Sequence, residues 1–452
     1  RRVVEQLRGV ADSDAKGNPQ NTQQTSDLIL GWAVSKEQFL NARAWMWLNA
    51  ARQIKAPLWG ESQTALQLGD TGTMDRLLLR SGDGLPIYNR YDTAAALEHW
   101  PLALDIAFRG LENNGVDEEL HDRYRQHAPL HANYIQLRAS HDSFGGLASN
   151  ERQVELKLVA DRQLHLRLGW AQLSQSSDDP LLAAPPRQRL ASVEARWLEC
   201  RGDTTLSLFR RAELAGNSGW QVSQSWAWDT HLNLNASIAR RADATDSLPL
   251  RVNGAEDHLR LGLNYALGKR EYFSIAPRLT RYYTQLGDYL GSGRILDAEA
   301  GYRLRTEYPD WRLRAFATHQ SFSYDGAVGG QTLAHLAPEV QKGVAAGSLD
   351  AVRYFIPAGS TTWGACLGMG ENLAGQNLQE VYTRAWRHFY DVCPNHNTLN
   401  GAGYTGTIGL AGSLTGEDHL SLRLEQASGG SGAGAGVGNI TRSLAARYKH
   451  YF

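Results

Sequence analysis

The spacing of apolar residues divides the chain near residue 130. Before that point, apolar residues recur every three or four positions, which is the spacing of one face of a helix. Phe39, Met46 and Ala50 lie on one such stripe, and Leu104 and Leu111 lie on another. The pattern predicts several short helix-turn-helix pairs in residues 1–130.

One stretch of this region has the length of a helical repeat. Residues 92–120 cover two predicted helices and carry small residues at Ala95, Ala103 and Ala107, where neighbouring helices can approach closely. We interpret residues 1–130 as a tetratricopeptide-like helical region. An unrelated small α-helical domain is the alternative.

After His131, apolar residues alternate with polar or small ones, and this period of two continues to the end of the chain. Leu164, Leu166 and Leu168 show it early in this region, and Leu420 and Leu422 show it late. Such alternation is typical of a strand with one apolar face. It predicts sixteen strands, at residues 131–141, 151–160, 162–173, 188–200, 203–213, 218–228, 229–240, 257–267, 270–283, 291–307, 311–323, 359–370, 381–391, 399–414, 417–428 and 440–452.

The lengths of the connections between these strands also alternate. Connections after even-numbered strands are mostly tight, whereas those after odd-numbered strands are mostly long, up to the segment 324–358. Bacterial outer-membrane barrels have an even number of strands, short periplasmic turns and long external loops. We therefore predict a mainly β fold, in which residues 131–452 form a 16-stranded antiparallel transmembrane β-barrel in the bacterial outer membrane. Residues 1–130 would lie in the periplasm.

Aromatic residues support the same interpretation. Several stand at predicted strand ends, where a barrel carries its interfacial girdles, among them Trp170, Trp228, Tyr282 and Trp363. The chain ends on Phe452, and an aromatic terminal residue resembles the signal by which outer-membrane barrels are recognised for insertion. A soluble β-rich binding protein is the alternative to a membrane barrel.

The composition is nearly neutral and unusually rich in arginine. The chain has 46 basic and 47 acidic residues, and only seven of the basic residues are lysine. A net charge of -1 argues against nucleic acid as a partner. The mean hydropathy of -0.42 and the lack of a run of 18 apolar residues argue against a transmembrane helix, but a barrel has the same low average.

If the apolar strand faces contact lipid, the interleaved residues face a water-filled lumen. Guanidinium groups suit such a wall because their fork pairs with carboxylates on neighbouring strands. Asp297 and Glu299 are expected to face Arg312 and Arg314 across the hairpin that turns at Pro309. We predict a substrate path along the pore that is lined by Asp297, Glu299, Glu155, Glu194, Glu425, Arg303, Arg305, Arg312 and Arg314. A purely structural charge ladder is the alternative role.

The long segment 324–358 is predicted to act as a gate. It begins with glycines and continues with an apolar pattern that indicates a short amphipathic helix within residues 335–355. Leu336, Val340 and Val344 lie on its apolar face. We expect this segment to fold over or into the mouth of the barrel. The glycine-rich segment 429–439 joins two strands and is interpreted as a flexible external loop.

The sequence contains no recognisable catalytic or metal-binding motif. It lacks Gly-x-Ser-x-Gly and His-Glu-x-x-His, and Cys200, Cys366 and Cys393 are too few and too scattered for a disulfide framework or a zinc site. We predict no enzymatic activity, no cofactor and no metal, with at most one incidental disulfide. An outer-membrane hydrolase is the alternative in which the barrel would be an enzyme.

Helical repeats that lead directly into a 16-stranded barrel resemble the exopolysaccharide-export porins. This group serves the alginate, cellulose and poly-N-acetylglucosamine systems, and the chain is most similar to the carboxyl-terminal part of the Pel polysaccharide exporters. Residues 92–105, DTAAALEHWPLALD, resemble a late repeat before the barrel of that family, and residues 447–452, RYKHYF, resemble its last strand.

The resemblance implies a gated aqueous barrel that exports a biofilm polysaccharide. It also implies a longer protein, with an inner-membrane anchor and further repeats upstream. Its partners would be a ring of small periplasmic lipoproteins at the periplasmic end and a periplasmic polysaccharide-modifying enzyme that docks on upstream repeats. A cellulose- or poly-N-acetylglucosamine-type exporter and a general diffusion porin are the alternatives.

Pel is an amino-sugar polymer that is partly deacetylated and therefore cationic, so the resemblance implies a negatively charged conduit. The barrel sequence does not show one plainly. Residues 131–452 contain 30 acidic and 32 basic residues. The charge of the lumen is thus left open by the sequence.

Overall fold

The computed structural model describes residues 23–51, 54–81, 84–114, 116–161, 163–199, 201–212, 216–229, 231–268, 270–305, 308–370, 372–373, 376–377, 385–415, 418–428 and 440–452. The chain forms two compact units, Arg1–Ala132 and Asn133–Phe452. The segments 429–439 and 381–384 and the residue Cys200, which figure in the sequence predictions, lie outside the described residues.

The first unit is helical, as its apolar spacing predicts. Among its described residues there are seven helices, α1 (Gln23–Ser35), α2 (Phe39–Ala50), α3 (Leu58–Leu68), α4 (Thr71–Ser81), α5 (Ile87–Ala96), α6 (Trp100–Asn113) and α7 (Glu118–His131). Asp117 caps α7, because its carboxylate accepts a hydrogen bond of 3.0 Å from the Leu120 backbone N–H. Within the described part of the chain, none of the helices has both the length and the apolar character needed to cross a membrane.

Small residues set the packing of these helices. Ala103 and Ala107 are fully buried in α6, where the sequence pattern expects close helix contacts. A Cβ atom at Gly110 would lie 2.4 Å from side-chain atoms of both Ile87 and Leu120. A larger residue at this position would force the Ile87 and Leu120 side chains to shift, so glycine favours the close approach of α5 and α7 to α6.

The second unit contains a closed barrel of sixteen antiparallel strands, which confirms the predicted fold class. The strands are β1 (Tyr134–Phe144), β2 (Leu147–Val159), β3 (Leu164–Ser177), β4 (Arg187–Glu199), β5 (Gly202–Ala212), β6 (Asn217–Ala227), β7 (Leu232–Ala242), β8 (Gly254–Ala266), β9 (Glu271–Thr284), β10 (Tyr289–Arg305), β11 (Trp311–Phe322), β12 (Ser360–Met369), β13 (Arg387–Asn397), β14 (Gly401–Gly412), β15 (Asp418–Ser428) and β16 (Thr441–Tyr451). Each strand pairs with its neighbours in the chain, and β1 pairs with β16 to close the ring.

The apolar set of the alternating pattern faces outward. Leu168, Leu261, Ile408 and Leu424 are large apolar residues that are 45% to 59% exposed on the outer wall. A band of this kind is what contact with lipid hydrocarbon requires. Tyr282 is an exception to the predicted girdle, because its side chain is fully buried and hydrogen-bonds to Asp246.

The position of β13 differs most from the sequence prediction. The pattern places this strand at 381–391, whereas it runs from Arg387 to Asn397. Pro394 lies within it, and a proline inside a strand-like run normally indicates that the strand has ended. The predicted strand therefore begins and ends six residues before the observed one.

The outward orientation of Ile408 can be tested with one charge on each side of the same strand. We expect Ile408→Arg to destabilise the folded barrel by about 2 to 4 kcal/mol relative to Thr407→Arg, because only the first places a cation in lipid. Thr407 lines the lumen opposite Glu425, so the control variant gains a possible ion pair. Urea unfolding in lipid vesicles and heat-dependent migration on SDS gels measure the difference. Equal stability of the two variants would contradict the assignment of faces.

A capped and polar barrel lumen as the candidate functional site

The predicted gating segment forms a folded cap with a neighbouring loop. It contains three short helices, α9 (Gly330–His335), α10 (Pro338–Ala345) and α11 (Ala351–Phe355), and the β7–β8 connection adds α8 (Leu248–Asn253). The expectation of one amphipathic helix in this segment was therefore wrong. Pro338 starts a new helix, and Gly347 has a φ of +70°, which ends the run before α11 begins.

The cap has its own apolar core. Leu250, Val340 and Phe355 are completely buried and pack with Tyr282 and Leu290 of the barrel wall. Each such side chain contributes about 1.5 to 3 kcal/mol when it leaves water. The cap is therefore a packed element that is attached to β9 and β10.

The three predicted gate residues lie in this packing. Leu336 is 4% exposed, Val340 is fully buried, and Val344 packs against the same core from its edge. Their side chains hold the cap together, and none of them lines the cavity beneath it. A role in gating stays a prediction, and it would act through the cap as a unit.

Hydrogen bonds join the cap loops to one another and to the wall. The carboxylate of Asp246 accepts hydrogen bonds from Arg278 at 2.6 Å and from the Tyr282 hydroxyl at 2.5 Å. Ser247 donates its hydroxyl to the Phe355 carbonyl, which connects the two cap segments. Because hydrogen bonds have a defined geometry, these contacts fix the orientation of the cap segments more closely than apolar packing does alone.

The cap also contacts the β3–β4 loop. The Tyr354 hydroxyl donates a hydrogen bond of 2.6 Å to the Leu181 carbonyl. Burial raises the pKa of Tyr354, so this phenol keeps its proton and its role as a donor. The loop that carries Leu181 is thereby tied to α11.

Beneath the cap lies a cavity of about 1420 Å³ inside the barrel. Its roof includes Leu181, Leu182, Leu248, Pro249 and Tyr354. Its walls are the inward-facing residues of strands around most of the ring. The lumen is therefore a hollow space lined by side chains, and a barrel of sixteen strands is wide enough to enclose one.

One wall of this chamber is mainly polar and uncharged, with Arg260 of β8 as the one charged lining residue among the described residues of strands β6 to β9. Strands β6 to β9 present amide and hydroxyl groups from Gln221, Ser223, Ser225, Asn235, Ser237, Asn264 and Ser274. Amides and hydroxyls both donate and accept hydrogen bonds, so they match the hydroxyl groups of sugars. The sequence prediction named charged residues only and missed this wall, although the same period of two places these residues inward.

The other wall carries the charges. Across β10 to β15 the lining includes Asp297, Glu299, Asp391 and Glu425 together with Arg314 and Arg423. In a closed ring of sixteen strands, β7 and β15 lie opposite each other. A chain in the lumen would therefore have mostly neutral polar groups on one side, Arg260 apart, and most of the ionised groups on the other.

Arg314 connects the charged wall across several strands. Its guanidinium pairs with Glu299 of β10 at 2.9 Å and with Asp391 of β13. Asp391 is missing from the sequence prediction because the predicted strand ends there, at its last residue. Glu299 and Arg314 do meet as expected, whereas Asp297 accepts a hydrogen bond of 2.8 Å from Thr318.

The predicted path residues divide into two groups. Asp297, Glu299, Glu425 and Arg314 line the cavity, and the remaining five are absent from its lining. Glu155 accepts a hydrogen bond of 2.7 Å from the Tyr134 hydroxyl, and Glu194 pairs with Arg167 at 3.1 Å.

The other three predicted residues are arginines near the end of β10 and the start of β11, where a short connection joins these strands. Arg303 lies directly opposite Arg312 in the register, so Arg312 does not face Asp297. Arg305 is exposed where β10 ends. The register, which the sequence pattern does not determine, decides these pairings.

Seven carboxylates and three guanidinium groups line the cavity. The carboxylates are those of Asp179, Asp203, Asp246, Asp297, Glu299, Asp391 and Glu425, and the guanidinium groups are those of Arg260, Arg314 and Arg423. Arg196 and Arg278 neutralise Asp203 and Asp246 from outside the lining. Seven acids and five bases then leave a moderate excess of negative charge.

Two cysteines stand beside this charged wall and form a disulfide. Cys366 of β12 and Cys393 of β13 are bonded, with their Cα atoms 4.1 Å apart. With Asp391 they form the single group of three potential metal ligands among the residues that the structure describes. Both sulfurs are used in the bridge, so they offer no thiolate to a metal.

Arg314 provides a test of the charged wall. We expect Arg314→Gln to destabilise the barrel by about 1 to 3 kcal/mol, because Glu299 and Asp391 lose their shared partner in a lumen that water partly screens. Arg314→Lys keeps the charge but cannot bridge both carboxylates as a fork, so it should lie between wild type and Gln. Thermal loss of the folded form on SDS gels measures the order. A Lys variant that equals the Gln variant would show that charge alone has no effect.

Comparison with known proteins places the barrel in a family. A model described as PelB, C-terminal beta barrel domain, matches residues 130–451. No curated protein matches the sequence significantly.

Solved structures share the barrel architecture. One described as a bacterial polysaccharide outer membrane secretin has a TM-score of 0.51 and 8% identity, and the similarity covers 71% of this chain and 98% of that chain. OccK5 (OpdH) of Pseudomonas aeruginosa has a TM-score of 0.38 and 9% identity, over 71% of this chain and 97% of that chain. At such low identity the first similarity shows a shared fold only. Because the family match spans most of the sequence, the chain belongs to the family of PelB carboxyl-terminal β-barrel domains.

Proposed function

We propose that this protein exports a Pel-type exopolysaccharide from the periplasm to the cell surface through the lumen of its outer-membrane barrel. The observation that carries the proposal is the cavity beneath the cap, with a wall made mainly of amides and hydroxyls opposite a wall of mostly ion-paired carboxylates. Family membership supports it, and so does the fold that is shared with a polysaccharide outer membrane secretin.

The lining suits a polymer that slides. Single hydrogen bonds to hydroxyls and amides contribute about 1 kcal/mol each, because water competes for the same groups. A sugar chain can therefore exchange partners along β6 to β9 without being held at one place. The polymer would be driven from behind by its synthesis, and the protein would supply a guided path.

The charge of the lining supports a polymer with some amino groups. Carboxylates outnumber guanidinium groups in the cavity, although the whole barrel sequence is nearly balanced. The internal pairing of most acids with arginines limits the strength of any one contact. A cationic chain would be attracted to the lumen but not trapped there.

We infer that the helical unit lies in the periplasm and passes the polymer to the barrel. The first strand begins at Tyr134, at the end of the barrel where the connections are mostly short, and short turns are the periplasmic ones in such barrels. The proposed partners at this end are a ring of small lipoproteins and a periplasmic polysaccharide-modifying enzyme bound to upstream repeats. These partners are proposed because the sequence resembles the exporter family for which they are expected.

The first prediction of this proposal concerns the cavity carboxylates. Asp297→Ser combined with Glu299→Ser should reduce polymer secretion, because each carboxylate attracts a cation 4 Å away by about 1 kcal/mol in water, or about fivefold in local occupancy. Glu155→Gln combined with Glu194→Gln, outside the cavity lining, serves as the matched control. Secreted polymer is measured per amount of heat-modifiable barrel. Unaltered secretion in the Ser variant would remove these carboxylates from the path.

The second prediction concerns the cap. Deletion of residues 328–356 removes most of the cap core, and we expect it to raise single-channel conductance in planar bilayers. Replacement of the exposed Lys342 and Glu339 pair by glutamines is the control, because this pair lies outside the core. A wild-type conductance that is already open at rest and unchanged by the deletion would favour a general diffusion porin.

A further inference from the structure

The hairpin of β12 and β13 lacks the feature that sets the register of its neighbours. The connection between these strands spans residues 370–386, whereas the other six connections at that end of the barrel span two to five residues. A tight turn fixes which residues of a hairpin face each other. A connection of this length does not. Away from this connection, Asn397 donates a hydrogen bond of 2.7 Å to Thr362 and so helps to set the register at one end of this hairpin.

Near the cysteines, the side chains of this hairpin specify its register weakly. The inward positions of β12 on either side of Cys366 are Gly364 and Gly368, which have no side chain to pair across the strands. Pro394 stands opposite Ala365 and offers no backbone N–H to the ladder. The pairing is regular on both sides of this point and is interrupted at it.

The pairing error expected in such a hairpin is a shift of the strand register by two residues. A slip by one residue would turn apolar side chains into the lumen, and the alternating pattern forbids it. A slip by two keeps every side chain on its correct face. It would nevertheless change the stagger of the strands on which closure of the ring depends.

The disulfide lies at a position where it prevents this shift of the register. Cys366 and Cys393 face each other directly in the register and are bonded, beside the interruption at Pro394. A slip by two would place Cys393 opposite a glycine. A covalent bond between the two strands therefore allows one register only.

We propose that the Cys366–Cys393 disulfide is an assembly site that fixes the register of β12 and β13, so that closure of the barrel depends on thiol oxidation. In the step, the two thiols lose two protons and two electrons and one S–S bond forms between them. A disulfide oxidant accepts the two protons and the two electrons and is cleaved to two thiols. Arg314 then completes the wall, since its guanidinium contacts the Cys393 sulfur at 3.3 Å and pairs with Asp391.

The test follows refolding of the full chain in detergent micelles. Reduced, urea-denatured protein is diluted into micelles with either oxidised or reduced glutathione, and the heat-modifiable folded form is followed over time on SDS gels. We expect folding to be about tenfold slower with reduced glutathione, because the closed loop no longer restricts the unfolded chain. Cys200→Ser keeps the pair and should show the same difference.

The double variant Cys366→Val with Cys393→Val separates the bond from the reagent. It should fold slowly under both conditions, like the reduced wild type. Reductant added to the wild type after folding should have no effect, because the two cysteines are only 2% and 4% exposed. Addition before folding should slow it.

Two outcomes would overturn the proposal. One is a Val variant that folds as fast as the oxidised wild type. The other is a wild type that folds at one rate with either form of glutathione, and this comparison stands even if the Val variant does not fold. Neither depends on which polymer the barrel transports.

Discussion

Inside a bilayer the backbone finds no water, so every N–H and C=O group of a membrane-spanning strand must bond to another strand. For a sheet this condition can be met only by closure, and here β1 pairs with β16 over its whole length. Closure then dictates the rest of the design. Each strand has one face in lipid and one in the lumen, which accounts for both the exposed leucines outside and the paired charges inside.

The arginine-rich composition becomes intelligible within this frame. The wall of the lumen is a single sheet that faces water, so ion pairs with a defined geometry suit it best. The guanidinium fork of arginine provides that geometry. Arg314 shows the principle, because one side chain joins carboxylates from β10 and β13. The charges of the lumen therefore stiffen the wall, and their slight excess of acid sets the potential that a passing chain experiences.

Periodicity alone predicts the number of strands, their faces and most of their bounds, because alternation is a local consequence of lipid on one side. It does not predict register, which depends on pairings that are distant in sequence. Asp297 meets Thr318 for this reason, and Asp391 is absent from the predicted path because Pro394 makes the bounds of its strand unpredictable from the pattern. The cap shows a second limit of prediction from the sequence. Its apolar residues form a recognisable pattern, but their burial against Tyr282 and Leu290 depends on tertiary packing.

The self-contained core of the cap determines which of its residues can be exchanged without loss of its fold. Val340 and Phe355 are buried, whereas Glu339 and Lys342 on the same segment lie outside and contact each other. A lid that is held by its interior can exchange its outer residues freely. Substitutions on this outer face should therefore leave the packing of the cap, and with it the roof of the cavity, unchanged.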